Sequence, residues 1–201
     1  MSGTNDFTLS KGRLESFSDG VFAIAITLLI LEVHLPPFRA PISGARQLSD
    51  LMTIWPQYLV YFVTFATIGI MWLNQHALLK NVERITHGVA LANLLLLSLV
   101  AFLPFATEVL GRYGITSIAI VYYGLTMTLI SIAYNVVYWQ VVVAHPHCKN
   151  GMTLWGVVGF TAYPLVSLVG YFVPIVGLAG MGVLALFYMQ PRNVRAVMLD
   201  V

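Results

Sequence analysis

Arg13, Ser18 and Asp19 stand at the head of an apolar run, in the order Arg13-Leu14-Glu15-Ser16-Phe17-Ser18-Asp19-Gly20 followed by Val21 to Leu31. Charged and hydroxylated groups at the mouth of a membrane span are costly unless protein neighbours satisfy them, so such groups mark structural or functional sites. Two chemistries are open to the cluster: a carboxylate that attracts a cation, or a hydrogen-bonded clasp. Helical spacing separates them. Phe17, Gly20, Ile24, Thr27, Leu28 and Leu31 fall on one stripe at steps of three and four, whereas Asp19 lies about 140° round the helix from Ile24. Relative to Ile24, Leu28 is rotated by about +40° and Leu31 by about −20°, with Thr27 about 60° to the other side. The stripe is free to line something while Asp19 is turned toward the protein.

Partners for the clasp occur further along the chain. Trp72 and His76 are four residues apart, hence on one helical face, and an indole N–H can only donate. Ser18 and Asp19 are therefore expected to accept from Arg13, Trp72 or His76, because a buried carboxylate is tolerated when paired and hydrogen-bonded. A proton- or voltage-sensitive gate made of the same groups is the competing reading.

Other candidate clusters are weaker. His145-Pro146-His147-Cys148 has metal-binding residue types, but its spacing is tight, proline constrains it, and a structural zinc site needs four ligands. No resident metal or cofactor is expected. Glu32 and His34 would sit at the outer end of the first helix, either as an ion vestibule or snorkelling to the interface. No nucleophile with its base, phosphate loop or dinucleotide fingerprint is present, so catalytic residues are expected to be none and the chain is not read as an enzyme.

The elements that must position these residues are membrane helices. Of 201 residues, 59% are hydrophobic and 9% charged, with mean hydropathy +0.84; soluble domains carry about 25% charged residues. The chain is read as an all-α integral membrane protein in contact with the lipid bilayer. No basic stripe suits nucleic acid, and the lone Cys148 excludes an internal disulfide. The N-terminus lacks a cleavable signal pattern, so the first helix is expected to be retained.

At about twenty apolar residues per crossing, six spans are expected near 14–35, 51–79, 86–110, 115–144, 153–171 and 174–189, forming one domain over 1–201. Residues 38–50 read as a turn-rich loop, and Pro104, Pro164, Gly170 and Pro174 read as interruptions. Gly177, Gly180 and Gly182 invite close helix packing. With the N-terminus inside, Lys11, Arg13, Lys80, Arg84, Lys149, Arg192 and Arg195 are internal, against Arg39, Arg46 and Arg112 outside. That asymmetry predicts a multi-pass protein of the cell membrane with both termini cytoplasmic.

Arg13, Phe17-Ser18-Asp19-Gly20 and Val21 to Leu29 resemble the first-helix signature of the transmembrane protein 175 family, the endolysosomal potassium channels of animals and their prokaryotic relatives. Trp72-Leu73-Asn74-Gln75-His76 resembles a second signature, a Trp followed by two histidines, with Gln75 in place of the first. Asn93 with Pro104-Phe105 is a weaker third match. The resemblance covers nearly the whole chain and implies a homotetramer of six-helix subunits whose first helices line a central pore. It places Ile24, Leu28 and Leu31 at the constriction and Thr27 in a polar layer beside it, with potassium as the transient occupant.

The residues are compatible with that expectation. No Thr-Val-Gly-Tyr-Gly filter occurs. A ring of aliphatic side chains makes a narrow neck that can gate by dewetting, and threonine hydroxyls offer oxygen ligands to a partly dehydrated cation. Without a carbonyl cage, potassium preference should be modest. The expected function is a potassium-preferring cation channel with Arg13, Phe17, Ser18, Asp19, Trp72 and His76 as its structural network. A proton-permeable leak is an alternative; so is a secondary transporter, which predicts internal repeats and paired helix breaks, neither of which is visible. A non-conducting scaffold would need no continuous stripe.

Overall fold

A computed structural model describes residues 10–37, 43–80, 82–146 and 153–188, except the side chains of 153–158 and 188. Its elements are helices: α1 (Lys11–Leu28) continued by a 3-10 turn (Leu29–Glu32), α2 (Gly44–Thr53), α3 (Trp55–Lys80), α4 (His87–Tyr113), α5 (Ser117–Ala144), α6 (Thr153–Phe172) and α7 (Pro174–Tyr188). Four of them, α1 with its 3-10 turn, α3, α4 and α5, are long and apolar enough to cross a membrane. At 22 to 28 residues they reach about 33–42 Å, against about 30 Å of hydrocarbon. The apolar stretches of α6 and α7 are shorter, Gly159–Phe172 and Pro174–Phe187.

Local chemistry sets most of the boundaries. Thr86 accepts from the Val89 amide and caps α4. Gly114 ends α4 at φ +71°, a backbone conformation that glycine adopts without a Cβ clash. Pro174 opens α7, where its missing N–H costs nothing. Pro104 and Pro164, read from sequence as interruptions, lie inside α4 and α6 instead. Each removes one helical N–H, a gap that helices in a membrane bundle tolerate.

α2 begins within the loop expected over 38–50 and runs on to Thr53. Ser43 accepts from the Arg46 amide at 3.3 Å and starts it, and the turn at Ile54 separates it from α3. Leu48, Leu51 and Met52 share one face of this short helix, whose signal is hidden behind Pro41 and Gly44. The following helix accordingly begins at Trp55, not at 51.

α4 is the hub, packing against α5, α1 and α3. Leu96, Val100, Leu103 and Leu110 from α4 meet Phe22 from α1, Leu29 from the 3-10 turn and Ile120, Tyr123, Met127 and Ile130 from α5 in one buried cluster. Thr107 donates to Thr64, which lies 3.0 Å from the Tyr123 hydroxyl, so a polar contact crosses α4, α3 and α5. Beyond it, α5, α6 and α7 approach closely at Gly170 and Gly177, where an added Cβ would overlap the facing backbone. Gly180 faces Val166 closely, whereas Gly182 has only one neighbour at van der Waals distance.

Candidate permeation helix and its clasp

α1 is covered on one side only. Leu14, Ser18, Phe22, Ala25 and Leu29 are buried against α3 and α4. The opposite side is open: Arg13, Phe17, Gly20, Thr27, Ile24 (60% exposed), Leu28 (41%) and Leu31 (64%) all face outward. Steps of three and four place both sets automatically, because a helix turns about 100° per residue.

The end of α1 departs from the expected geometry. Leu29–Glu32 is a 3-10 turn, in which residues three apart eclipse. Leu31 lies in this tighter turn and remains exposed, as Leu28 does. The Thr27 hydroxyl donates to the carbonyls of Ala23 (2.9 Å) and Ile24 (3.0 Å). With its proton committed to the helix backbone, the exposed oxygen retains lone pairs for a donor or a cation.

The clasp divides into two unlike contacts. Trp72 Nε1 donates to Asp19 Oδ1 at 2.7 Å on the exposed side of α3. His76 lies beside the Trp72 ring, with centroids 6.1 Å apart. Ser18 is bonded elsewhere: it is fully buried, accepts from Asn93 Nδ2 at 3.0 Å and donates to the Leu14 carbonyl at 2.8 Å. Asn93 Oδ1 in turn accepts from Gln75 Nε2 at 2.9 Å. Arg13 and Phe17, expected in the network, are exposed, and among the described residues no side-chain hydrogen bond joins them to it. The reason lies in helix rotation: Ser18 faces the α3–α4 seam, while Arg13 and Phe17 sit on the open stripe.

Gln75 and Asn93 are thus the functional candidates that residue typing underrated. Asn93 is a lone carboxamide in an apolar stretch and Gln75 sits in the polar run Asn74-Gln75-His76; inside a membrane bundle such groups commonly bond across helices. Lys11 is a further one. Its Nζ donates to the Lys80 carbonyl at 2.5 Å and lies 3.8 Å from Glu15, tying the start of α1 to the end of α3. A cation at the last carbonyls of a helix is the favourable sign for the helix dipole.

At the opposite end, the His34 amide donates to Gln57 Oε1 at 2.8 Å and its ring Nδ1 lies 3.0 Å from the Glu32 carbonyl oxygen. Arg112 pairs with Glu108 at 2.6 Å. Of the His-Pro-His-Cys run, His145 Nε2 meets the Arg84 carbonyl oxygen at 2.9 Å, and His147 and Cys148 lie outside the described residues.

A helical membrane bundle that leaves one face of its first helix uncovered, with a polar clasp behind that helix, defines a class of integral membrane proteins. Comparison with known proteins gives the particular family. The family model for the endosomal/lysosomal potassium channel TMEM175 matches residues 13–104. A potassium channel of Streptomyces collinus is 35% identical over 191 residues, covering 89% of this chain and 91% of that protein. A potassium channel of Chamaesiphon minutus is 46% identical over 102 residues, half of each chain. The mouse endosomal/lysosomal proton channel TMEM175 is 41% identical over 106 residues, covering 50% of this chain and 21% of that one. The crystal structure of the lysosomal potassium-selective channel TMEM175 homolog from Chamaesiphon minutus superposes with TM-score 0.81 at 32% identity, covering 89% of this chain and 95% of that one. The chain belongs to the TMEM175 family.

Proposed function

We propose that this protein is a potassium-preferring cation channel of the cell membrane, a homotetramer in which four α1 helices surround one conduction pathway. The observation that carries the reading is the uncovered stripe of α1. Ile24, Leu28 and Leu31 supply an aliphatic neck and Thr27 a ring of hydroxyl oxygens beside it. A neck this apolar favours passage only when wetted, so hydration of the constriction sets conduction. The Thr27 oxygens offset part of the water that a potassium ion sheds there.

One helix per subunit cannot enclose a pathway, which is why the reading requires several copies. The open arc of α1 is wider than the stripe itself, because Ser16, Ala23 and Ile30 are exposed beside it. A neighbouring subunit would cover that flank. In this arrangement 1–201 forms one six-span domain, α6 and α7 complete the spans, and both termini are cytoplasmic. The partners are potassium, lipid and further copies of the chain. The family membership supports the ion and the fold; the positive-inside asymmetry supports the orientation.

Purified protein in a planar bilayer under opposed potassium and sodium gradients tests the function. Unitary current steps with a reversal potential displaced toward potassium are expected. Saturable flux without current would overturn the channel in favour of a transporter. An added pH gradient that moves the reversal potential would reveal proton permeation, the activity named for the mouse relative.

A further inference from the structure

We propose that Gln75 is a positioning residue for the conduction pathway, fixing α1 through a one-way chain of buried hydrogen bonds. The proposal rests on α1 lining the pathway. Gln75 on α3, Asn93 on α4 and Ser18 on α1 are all buried, at 2%, 0% and 0% exposure. Their contacts run in one direction: Gln75 Nε2 to Asn93 Oδ1, Asn93 Nδ2 to Ser18 Oγ, Ser18 Oγ to the Leu14 carbonyl.

Each link dictates the next. The Ser18 proton is committed to Leu14, so Ser18 can only accept from Asn93. Asn93 must then present its N–H₂ to α1 and its oxygen to α3, and position 75 must hold a donor. A glutamine amide donates at every pH, whereas the histidine of the family signature would titrate. Among the described residues no buried side-chain nitrogen or oxygen lacks a partner.

The consequence for conduction is geometric. Ser18 lies six residues before Ile24, about 9 Å along the axis, and on the far side of α1. Rotating α1 by about 20° would swing a side chain some 5–6 Å from the axis through about 2 Å. In a fourfold neck that displacement is repeated in every subunit. Gln75, which touches no exposed residue of the stripe through this chain, thereby sets the aperture made by Ile24 and Leu28.

The test separates positioning from packing with Gln75→Leu, Asn93→Leu and the double variant, each measured for thermal stability and for the reversal potential between potassium and sodium. Either single change orphans a buried polar partner and is expected to lower Tm; the double removes both partners and should recover most of it. The potassium preference is expected to fall severalfold in the singles and to stay low in the double. Gln75→His, which keeps a ring N–H, is expected to restore most of the preference lost in Gln75→Leu. Recovery of stability and preference together in the double would overturn the proposal, because Gln75 would then act through packing alone. Unchanged preference in all three Leu variants, while Ile24→Asn alters permeation, would also overturn it. Unchanged permeation in Ile24→Asn and Leu28→Ala as well would overturn the pore reading of α1 itself.

Discussion

α1 and α4 are both apolar enough to span a membrane, yet the protein treats them differently. The spanning stretch of α4 is 56% buried and that of α1 is 28% buried, at mean hydropathies of 2.3 and 1.8. Hydropathy therefore measures compatibility with lipid and says little about what covers a helix. α4 buries a broad face against α1, α3 and α5, with Asn93 and Thr107 as its buried polar contacts, and leaves Leu91, Leu95, Phe102 and Phe105 exposed. α1 gives the bundle one face, keeps the other free, and carries the charges at its head. α4 carries the larger share of the core and α1 contributes one face to it.

Stability and permeation should respond oppositely in the two helices. Leu103→Ala on α4 empties space in a fully buried site and is expected to cost about 2–4 kcal/mol, read as a lowered Tm, with the potassium preference of the surviving channels intact. Equal loss of preference would break the division. Leu28→Ala on α1 should cost about 0.5 kcal/mol or less within the subunit while changing unitary conductance. A large drop in Tm without a conductance change would place Leu28 in the core instead.

The clasp sharpens the same contrast on a smaller scale. Trp72→Phe removes the donor to Asp19 but leaves both groups on the exposed side. Its expected cost is under about 1 kcal/mol, since interhelical hydrogen bonds in membrane proteins average near 0.6 kcal/mol; thermal denaturation in detergent measures it. Thr27→Ala should have the smallest effect on stability, because the hydroxyl bonds only its own helix. It should lower potassium preference while conductance persists, as bi-ionic reversal potentials would record. An unchanged ratio would remove Thr27 from the polar layer.

These differences trace what the amino-acid order can encode. The two faces of α1 follow from residue type and helical period, which are local properties. The Trp72–Asp19 contact was within reach because an indole donor has few acceptors to choose from. The partners of Ser18 were not: whether Asn93 or His76 meets it depends on the rotation and register of α3 and α4, set by packing of the whole bundle. The 3-10 turn at Leu29–Glu32 was hidden for another reason. A 3-10 ending arises where the helix terminus tightens to satisfy its last carbonyls, and no residue among Leu29, Ile30, Leu31 and Glu32 announces it. α2 escaped notice because its apolar face is short and its neighbours are turn formers.

The central claim is that the open stripe of α1 is the wall of the conduction pathway. In a Cys148→Ser background, cysteine is introduced singly as Ile24→Cys, Leu28→Cys, Ala25→Cys and Leu129→Cys, the last on the exposed side of α5. A water-soluble, thiol-reactive quaternary ammonium is then applied during potassium current. Irreversible block is expected for Ile24→Cys and Leu28→Cys, with current persisting for Ala25→Cys and Leu129→Cys. Current that survives modification at 24 and 28, or is blocked as readily from 25 or 129, would contradict the account.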